Sequence, residues 1–431
     1  MSTIPVFKIA PTIQQYDWGK PGSTAKVAQF ATTSKLPGFT IDQSAPYAEL
    51  WMGTHVKSPS RVYSTGEVLS EHLAKHPELI GASVSKKFDA SNGNLPFLFK
   101  VLSIEKALSI QSHPDKATAA KLHAAQPDIY KDPNHKPEMT LALTPFLALC
   151  GFRPLSSIAS SLKHTPEFAA LIPQHIQDAF LSLSTSSTPT GPLEKAALRD
   201  LFEAVMTADS GTFKPQLEAL VERYKRGAMM HGEIQDLADL VLRCNTQFPG
   251  DIGSFCAFLL NYVTLKPGEA IFLGAGEPHA YVSGECIECM ANSDNVIRAG
   301  LTPKLRDIPN LISTLTYTAS PPTKHYVFPS PFTTDNATSS ASTLYDPPIP
   351  EFSVVEVKLA PRAEEMHRPV MGPSIMIVTD GEGIVRWGQP EKEEKLDVGL
   401  GDVFFVGAGT EVRFCAKEKE FVAYRALVEA D

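Results

Sequence analysis

Residues 268–276 read Gly-Glu-Ala-Ile-Phe-Leu-Gly-Ala-Gly, and residues 401–409 read Gly-Asp-Val-Phe-Phe-Val-Gly-Ala-Gly. The shared pattern, Gly-acid-x-x-Phe-apolar-Gly-Ala-Gly, describes a strand, a tight turn and a returning strand, because β-favouring residues are bounded by glycines that supply the turn. One functional difference separates the copies. His279 follows the last glycine of the first by three residues, whereas Val412 holds that place in the second. The turn therefore serves the fold in both, and only the first keeps a residue able to bind metal.

This hairpin resembles the second half of the metal motif in cupin jelly-roll barrels. The resemblance implies two related β-barrels, the second metal-free. Between them lies a stretch of another texture. Leu198, Leu201, Phe202 and Val205 recur at i, i+3, i+4 and i+7, as do Leu217, Leu220, Val221 and Tyr224; that spacing predicts amphipathic helices. Ser182–Pro192 reads as a loop between helices. The expected architecture is mainly β with a helical insertion: two cupin-like jelly-roll barrels plus an α-helical domain. Residues 1–151 with 251–325 form the first barrel, 152–250 the insertion and 326–431 the second barrel. The Pro- and Ser-rich stretch Pro329–Pro350 links the barrels. The insertion either covers one side of a site or is structural padding.

Around the first copy the chain places chemistry. Residues 277–304 carry His279, Glu285, Glu288, Asp294, Arg298 and Lys304 beside apolar residues. Burying charge without partners is costly, so such a mixture suits a metal site facing an anionic ligand. Upstream, Ser109-Ile-Gln111-Ser-His113-Pro114 reads as a strand ended by proline, with Ser109, Gln111 and His113 on one face. Lys136 and Glu138 share a face ahead of an apolar strand expected from Leu141 to Cys150. Gln111, His113, Glu138 and His279 together make a four-ligand N/O set that suits zinc with a position left for water or substrate. Each piece alone has an ordinary reading: a lone Gln-x-His is more often surface or core, and a lone glutamate is more often solvated.

Five separated blocks resemble type I mannose-6-phosphate isomerases (phosphomannose isomerases). They are Tyr16-Asp-Trp-Gly19, Ala48-Glu-Leu-Trp-Met-Gly-Thr-His55, Gln111-Ser-His-Pro-Asp-Lys116, His135-Lys-Pro-Glu-Met139 and the whole of 277–304. Their order and spacing hold to about residue 310, with no departure at a ligand position. The resemblance implies one zinc ion per chain and an intramolecular oxidoreductase. The reaction implied interconverts mannose 6-phosphate and fructose 6-phosphate through a cis-enediol, supplying mannose for GDP-mannose. It implies Arg298 as an active-site arginine that stabilises enediolate or clamps phosphate, and Glu288 as the base, with Lys136 and Asp294 competing for that role. Ser109 and Lys304 become phosphate contacts, Trp18 and Tyr281 pocket walls, and Lys100 part of the basic cluster around the phosphate. Two other classes compete: an iron-dependent cupin dioxygenase, disfavoured by Gln111 and the cationic surroundings, and a non-catalytic sugar-phosphate-binding cupin, disfavoured by the complete ligand set.

Composition agrees with this reading. The net charge of −9 argues against nucleic acid or an anionic membrane as partner, leaving a small sugar phosphate met by local cations. Six scattered cysteines imply no disulfide framework. Cys286-x-x-Cys289 has no second pair and reads as two small strand residues. The N-terminus lacks the charged and apolar regions of a signal peptide, so a cytoplasmic location is expected; the family resemblance implies a monomer. The sequon Asn336-Ala-Thr338 then has no consequence.

Overall fold

A computed structural model describes residues 4–332 and 341–430 of the chain. The sequon 336–338 and part of the 329–350 link lie outside those residues. The rest follows the expected plan, mainly β with a helical insertion.

The first barrel is organised by one long strand, His279–Ala291. Its first part pairs with Phe146–Phe152, and His279 stands opposite Gln111. Its second part lies between Phe97–Ile104 and Glu138–Ala142, with Glu288 opposite both Lys100 and Thr140. Side chains alternate faces along a strand, and here both faces are buried. Phe97, Phe99 and Val101 point one way, with Met139, Leu141, Ile287 and Cys289. Lys100, Glu138 and Glu288 point the other way, into the barrel. Leu102, Ala142 and Cys286 on that inner face pack in its apolar floor. Cys286 and Cys289 therefore lie on opposite faces, and both are free thiols.

The apolar run Leu141–Cys150 is two strands, Glu138–Ala142 and Phe146–Phe152. The break has a local cause. Pro145 has no N–H for a ladder, and the turn is held by the Glu285 N–H donating to Thr144 Oγ1 at 3.0 Å.

The helices Pro192–Thr207 and Ser210–Lys225 bury the residues their periodicity marks. The loop expected over Ser182–Pro192 precedes them and is shorter, spanning 184–191, because the helix Gln174–Leu183 runs to Leu183 and Pro192 opens the next one. These helices share one core with Ile110, Phe152, Ala280 and Ile297 of the first barrel, so the insertion is packed onto the strands that carry the site.

The second barrel sets an eight-stranded sheet against a four-stranded one. Its repeat copy forms the strands Val403–Val406 and Val412–Ala416, the counterparts of Ala270–Leu273 and His279–Ala291. The last glycine of each copy has φ +73°, a left-handed turn position open to glycine at little cost. Val412 is fully buried among Val385, Trp387 and Phe414. Ser342–Tyr345, inside the stretch read as a link, is already a strand of this barrel, paired with Ser353–Leu359.

The chain's first strand belongs to the far end of the molecule. Val6–Ala10 pairs with Val403–Val406 in the second sheet, and Lys8 Nζ lies 2.7 Å from Asp402 Oδ2. The two barrels also share a core, in which Phe97, Phe99 and Ile287 meet Ile375, Val403 and Phe405. They are two layers of one body, joined through that shared layer.

Candidate active site and metal centre

His113, Glu138 and His279 converge from three strands or strand ends, with their ligand atoms all within 4.8 Å of one another. His113 Nε2 is 3.5 Å from Glu138 Oε1, and His279 Nε2 is 3.3 Å from Glu138 Oε2. The other ring nitrogen of each histidine is occupied. His113 Nδ1 lies 2.6 Å from the Asn295 carbonyl and His279 Nδ1 2.9 Å from the Glu277 carbonyl. A carbonyl only accepts, so each Nδ1 carries the proton and each Nε2 presents a lone pair to the cluster. Both Nε2 atoms are buried without a hydrogen-bond partner among the described residues. Buried polar atoms are normally satisfied, so this arrangement is the one a metal ion completes. Gln111 stands beside it, opposite His279 in register, with its Oε1 3.4 Å from Ser109 Oγ.

Electrostatics agree with a ligand set. Burial, reinforced by nearby Lys136, lowers the His113 pKa to about 4, so the ring is neutral at ordinary pH. Burial works to raise the Glu138 pKa, but Lys136 and His113 outweigh it and hold the carboxyl well below the usual range. Lys136 Nζ is 2.6 Å from Glu138 Oε1.

The cluster opens onto a cavity of about 910 Å³. Trp18, Lys100, Ser109, Gln111, Lys136, Glu138, Tyr281, Glu288, Asp294, Arg298 and Lys304 all line it. Every candidate side chain is thus at the cavity wall or, for His113 and His279, directly behind it. Lys100 Nζ is 3.0 Å from Glu288 Oε2 and 3.7 Å from Glu49 Oε2, with the Trp51 ring 5.2 Å away. Burial opposes the Lys100 charge, but Glu288, Glu49 and Glu138 overcome it and raise its pKa. One buried cation is shared among those carboxylates, and Glu288 receives only part of it. Burial accordingly raises the Glu288 pKa despite Lys100, with Glu138 adding to the rise. Tyr281 accepts from Thr140 Oγ1 at 2.6 Å and reaches toward Glu138 Oε2 at 3.5 Å. Asp294 sits nearer the mouth, 2.9 Å from Lys57 Nζ and 3.6 Å from His55 Nε2.

Arg298 and Lys304 are different in kind. Neither side chain has a partner among the described residues, although most other cations of the cavity are paired. Arg298 is partly buried, and burial lowers its pKa; Lys304 is exposed at the rim.

Sequence reasoning left several wall residues without a role, among them Tyr16, Glu49 and Trp51. Glu49 had a readable signal, since it alternates with Trp51 in a run that is otherwise apolar. Gln247, Phe248, Pro249 and Asp251, at the end of the helical insertion, close another side of the cavity. Of the two readings of the insertion, covering the site agrees with this placement.

Comparison with known proteins closes the argument. The family descriptions "Phosphomannose isomerase type I, catalytic domain", "helical insertion domain" and "C-terminal" match residues 6–155, 171–260 and 342–390. The mannose-6-phosphate isomerase of Cryptococcus neoformans is 51% identical over 99% of each chain, and that of Saccharomyces cerevisiae is 45% identical over 98% of this chain and 99% of its own. Among solved structures, a mutant phosphomannose isomerase from Salmonella typhimurium superposes with a TM-score of 0.79 at 31% identity, covering 99% of this chain and 100% of that one. A zinc-bound mannose 6-phosphate isomerase gives 0.77 at 31%, with the same coverage. Matched along almost its whole length by three family descriptions, by relatives and by solved structures, this chain belongs to the type I phosphomannose isomerases.

Proposed function

We propose that the protein interconverts D-mannose 6-phosphate and D-fructose 6-phosphate through a cis-enediol, using one zinc ion held by Gln111, His113, Glu138 and His279. One observation carries this reading. A single cavity joins a buried three-residue ligand cluster, a buried carboxylate with a raised pKa, and two unpaired cations in its wall, Arg298 partly buried and Lys304 exposed. When bound, zinc supplies Lewis acidity that steadies charge on the sugar's C1 and C2 oxygens.

The chain's own residues do the rest. Arg298 and Lys304 meet the phosphate or the developing enediolate with charge that no internal carboxylate neutralises. Ser109 adds a hydroxyl to the phosphate side, and Trp18 and Tyr281 shape the wall against the sugar. Glu288 takes the proton from C2 of the aldose or C1 of the ketose and returns it to the neighbouring carbon. Burial raises its pKa, which makes the carboxylate a stronger proton acceptor than an exposed one. Lys136, paired with Glu138, and Asp294, paired with Lys57 nearer the protein surface, are the competing candidates for that transfer. A single metal site follows from Val412, which leaves the second copy without the matching ligand. The product feeds GDP-mannose formation, and the enzyme works as a cytoplasmic monomer. A coupled assay of mannose 6-phosphate conversion with and without a chelator tests the reading. Activity lost to the chelator and restored by zinc is expected, whereas chelator-insensitive turnover overturns the metal assignment.

A further inference from the structure

The segment Arg298–Lys304 carries both unpaired cations; Arg298 is fixed by the first barrel's ladder, opposite Gln111, whereas the turn from Leu301 to Lys304 is held from outside it. Asp251, just after the last helix of the insertion, grips its middle. The Leu301 N–H donates to Asp251 Oδ1 at 2.8 Å and the Thr302 N–H to Oδ2 at 3.2 Å. The same Oδ1 accepts from Gly253 at 2.7 Å, which fixes the carboxylate to its own turn. Leu301 has φ +54°, a left-handed conformation that a leucine adopts only where its surroundings impose it. The backbones touch here: a Cβ on Gly300 would lie 2.6 Å from Gly253 Cα, and one on Gly253 2.7 Å from Leu301 N. A second clamp comes from Arg306, whose Nε donates to the Ala299 carbonyl at 2.7 Å. One of its terminal nitrogens donates to the Met206 carbonyl of the insertion at 3.2 Å.

We propose that Asp251 is a positioning residue for phosphate recognition, fixing the Leu301 turn so that Arg298 and Lys304 face the same anion. The inference rests on the reading of Lys304 as a phosphate contact. It gives the helical insertion a task in the reaction: its end holds the cationic strap at the cavity mouth. Lys304 is exposed on a flexible stem, so its position depends on the backbone beneath it. Asp251 makes no charge pair with either cation; it works through the main chain.

The test uses the full-length zinc enzyme. Asp251→Ala is expected to raise the KM for mannose 6-phosphate and the inhibition constant of inorganic phosphate together, each by about tenfold, the equivalent of ~1.4 kcal/mol. Zinc content should stay unchanged and kcat should move far less, because the phosphate group does not react. Asp251→Asn, which keeps one acceptor oxygen, should give a smaller shift in the same direction and serves if the alanine variant does not fold. Lys304→Ala is run beside them. If it raises KM while a folded Asp251 variant shows normal KM and normal phosphate inhibition, the positioning role is overturned. A lowered melting temperature with unchanged KM has the same meaning. If Lys304→Ala also leaves both constants unchanged, the phosphate reading itself fails and the positioning role falls with it.

Discussion

The two barrels share a glycine-framed hairpin, and at matching points one presents His279 and the other Val412. Around His279 the inward face carries Glu138, Glu288 and Lys100, all buried and engaged with one another. Around Val412 the inward face is Val385, Trp387, Val398 and Phe414. A buried histidine exists there too. His367 pairs in register with Val412, but both its nitrogens are spent: Nε2 lies 2.8 Å from Ser342 Oγ and Nδ1 3.2 Å from Arg425. The lesson is that the turn motif specifies a fold, while the metal chemistry depends on which nitrogen is left without a partner. In the first barrel carbonyls occupy Nδ1 and leave Nε2 open; in the second, nothing is left open.

Exchanging the two residues is the strongest way to break this comparison. His279→Val should remove the zinc and abolish turnover, since it deletes one of the few protein ligands. Adding Val412→His to that variant should restore neither, because the neighbouring His367 has both ring nitrogens engaged and the nearby Glu365 carboxylate already accepts from Ser342. Metal analysis and the isomerase assay decide it, and zinc recovered in the double variant would refute the account of the second barrel.

The next effect is catalytic and confined to the first barrel. Glu288→Gln should keep zinc and fold while lowering kcat and kcat/KM by roughly 10²–10⁴, the usual contribution of acid–base catalysis. Exchange of the substrate's C2 hydrogen with solvent should fall in parallel. If exchange persists, the base is Lys136 or Asp294, and the same measurement on Lys136→Met and Asp294→Asn separates them.

Much of this was legible beforehand, and the exceptions have a common cause. The helices around Leu201 and Leu220 and the shared face of Cys286, Glu288 and Met290 follow from spacing, because helical periodicity and strand alternation are local; spacing only marked the ligand candidates, which the family resemblance drew together. The partner of Val6–Ala10 was not legible, since nothing within five residues encodes an edge almost 400 positions away. Asp251 was invisible for a related reason. Its partners are backbone N–H groups, which every sequence has, so the contact leaves no side-chain signature. The break at Leu143–Pro145 was readable from Pro145 but was masked by the apolar run around it.

The second barrel has an acid response of its own. Burial, with Arg425 nearby, pulls the His367 pKa down to about 4, even though Glu365 opposes the shift. The folded state therefore refuses a proton that the unfolded chain takes near pH 6.5. The neutral ring costs nothing above that pH, and stability is lost as pH falls from about 6.5 toward 4. The loss attributable to this residue is of order 3 kcal/mol. Unfolding curves of the wild type and His367→Gln should diverge across that window; parallel curves would remove His367 from the acid response.

The smallest contrast lies in the turns themselves. Gly276 and Gly409 share φ +73°, but a Cβ on Gly276 would meet the Thr314 carbonyl at 2.7 Å, and one on Gly409 would meet nothing within 4 Å. Gly409→Ala should cost only the backbone strain, about 1–2 kcal/mol. Gly276→Ala should cost more and also weaken zinc binding through His279. Equal melting temperatures for the two variants would mean that the turns are packed alike after all.

The pairing of Val6–Ala10 with Val403–Val406 also sets a timetable for synthesis. A ribosome adds about 5–20 residues per second, so the first strand waits roughly 20 to 80 s for its partner to emerge. During that interval the catalytic half exists with an unpaired edge and with Phe97, Phe99 and Ile287 uncovered, surfaces that invite association with other chains. The nascent protein is therefore a natural client for chaperones until its last hundred residues arrive. A chain shortened before residue 403 should aggregate although it carries the complete set of metal ligands.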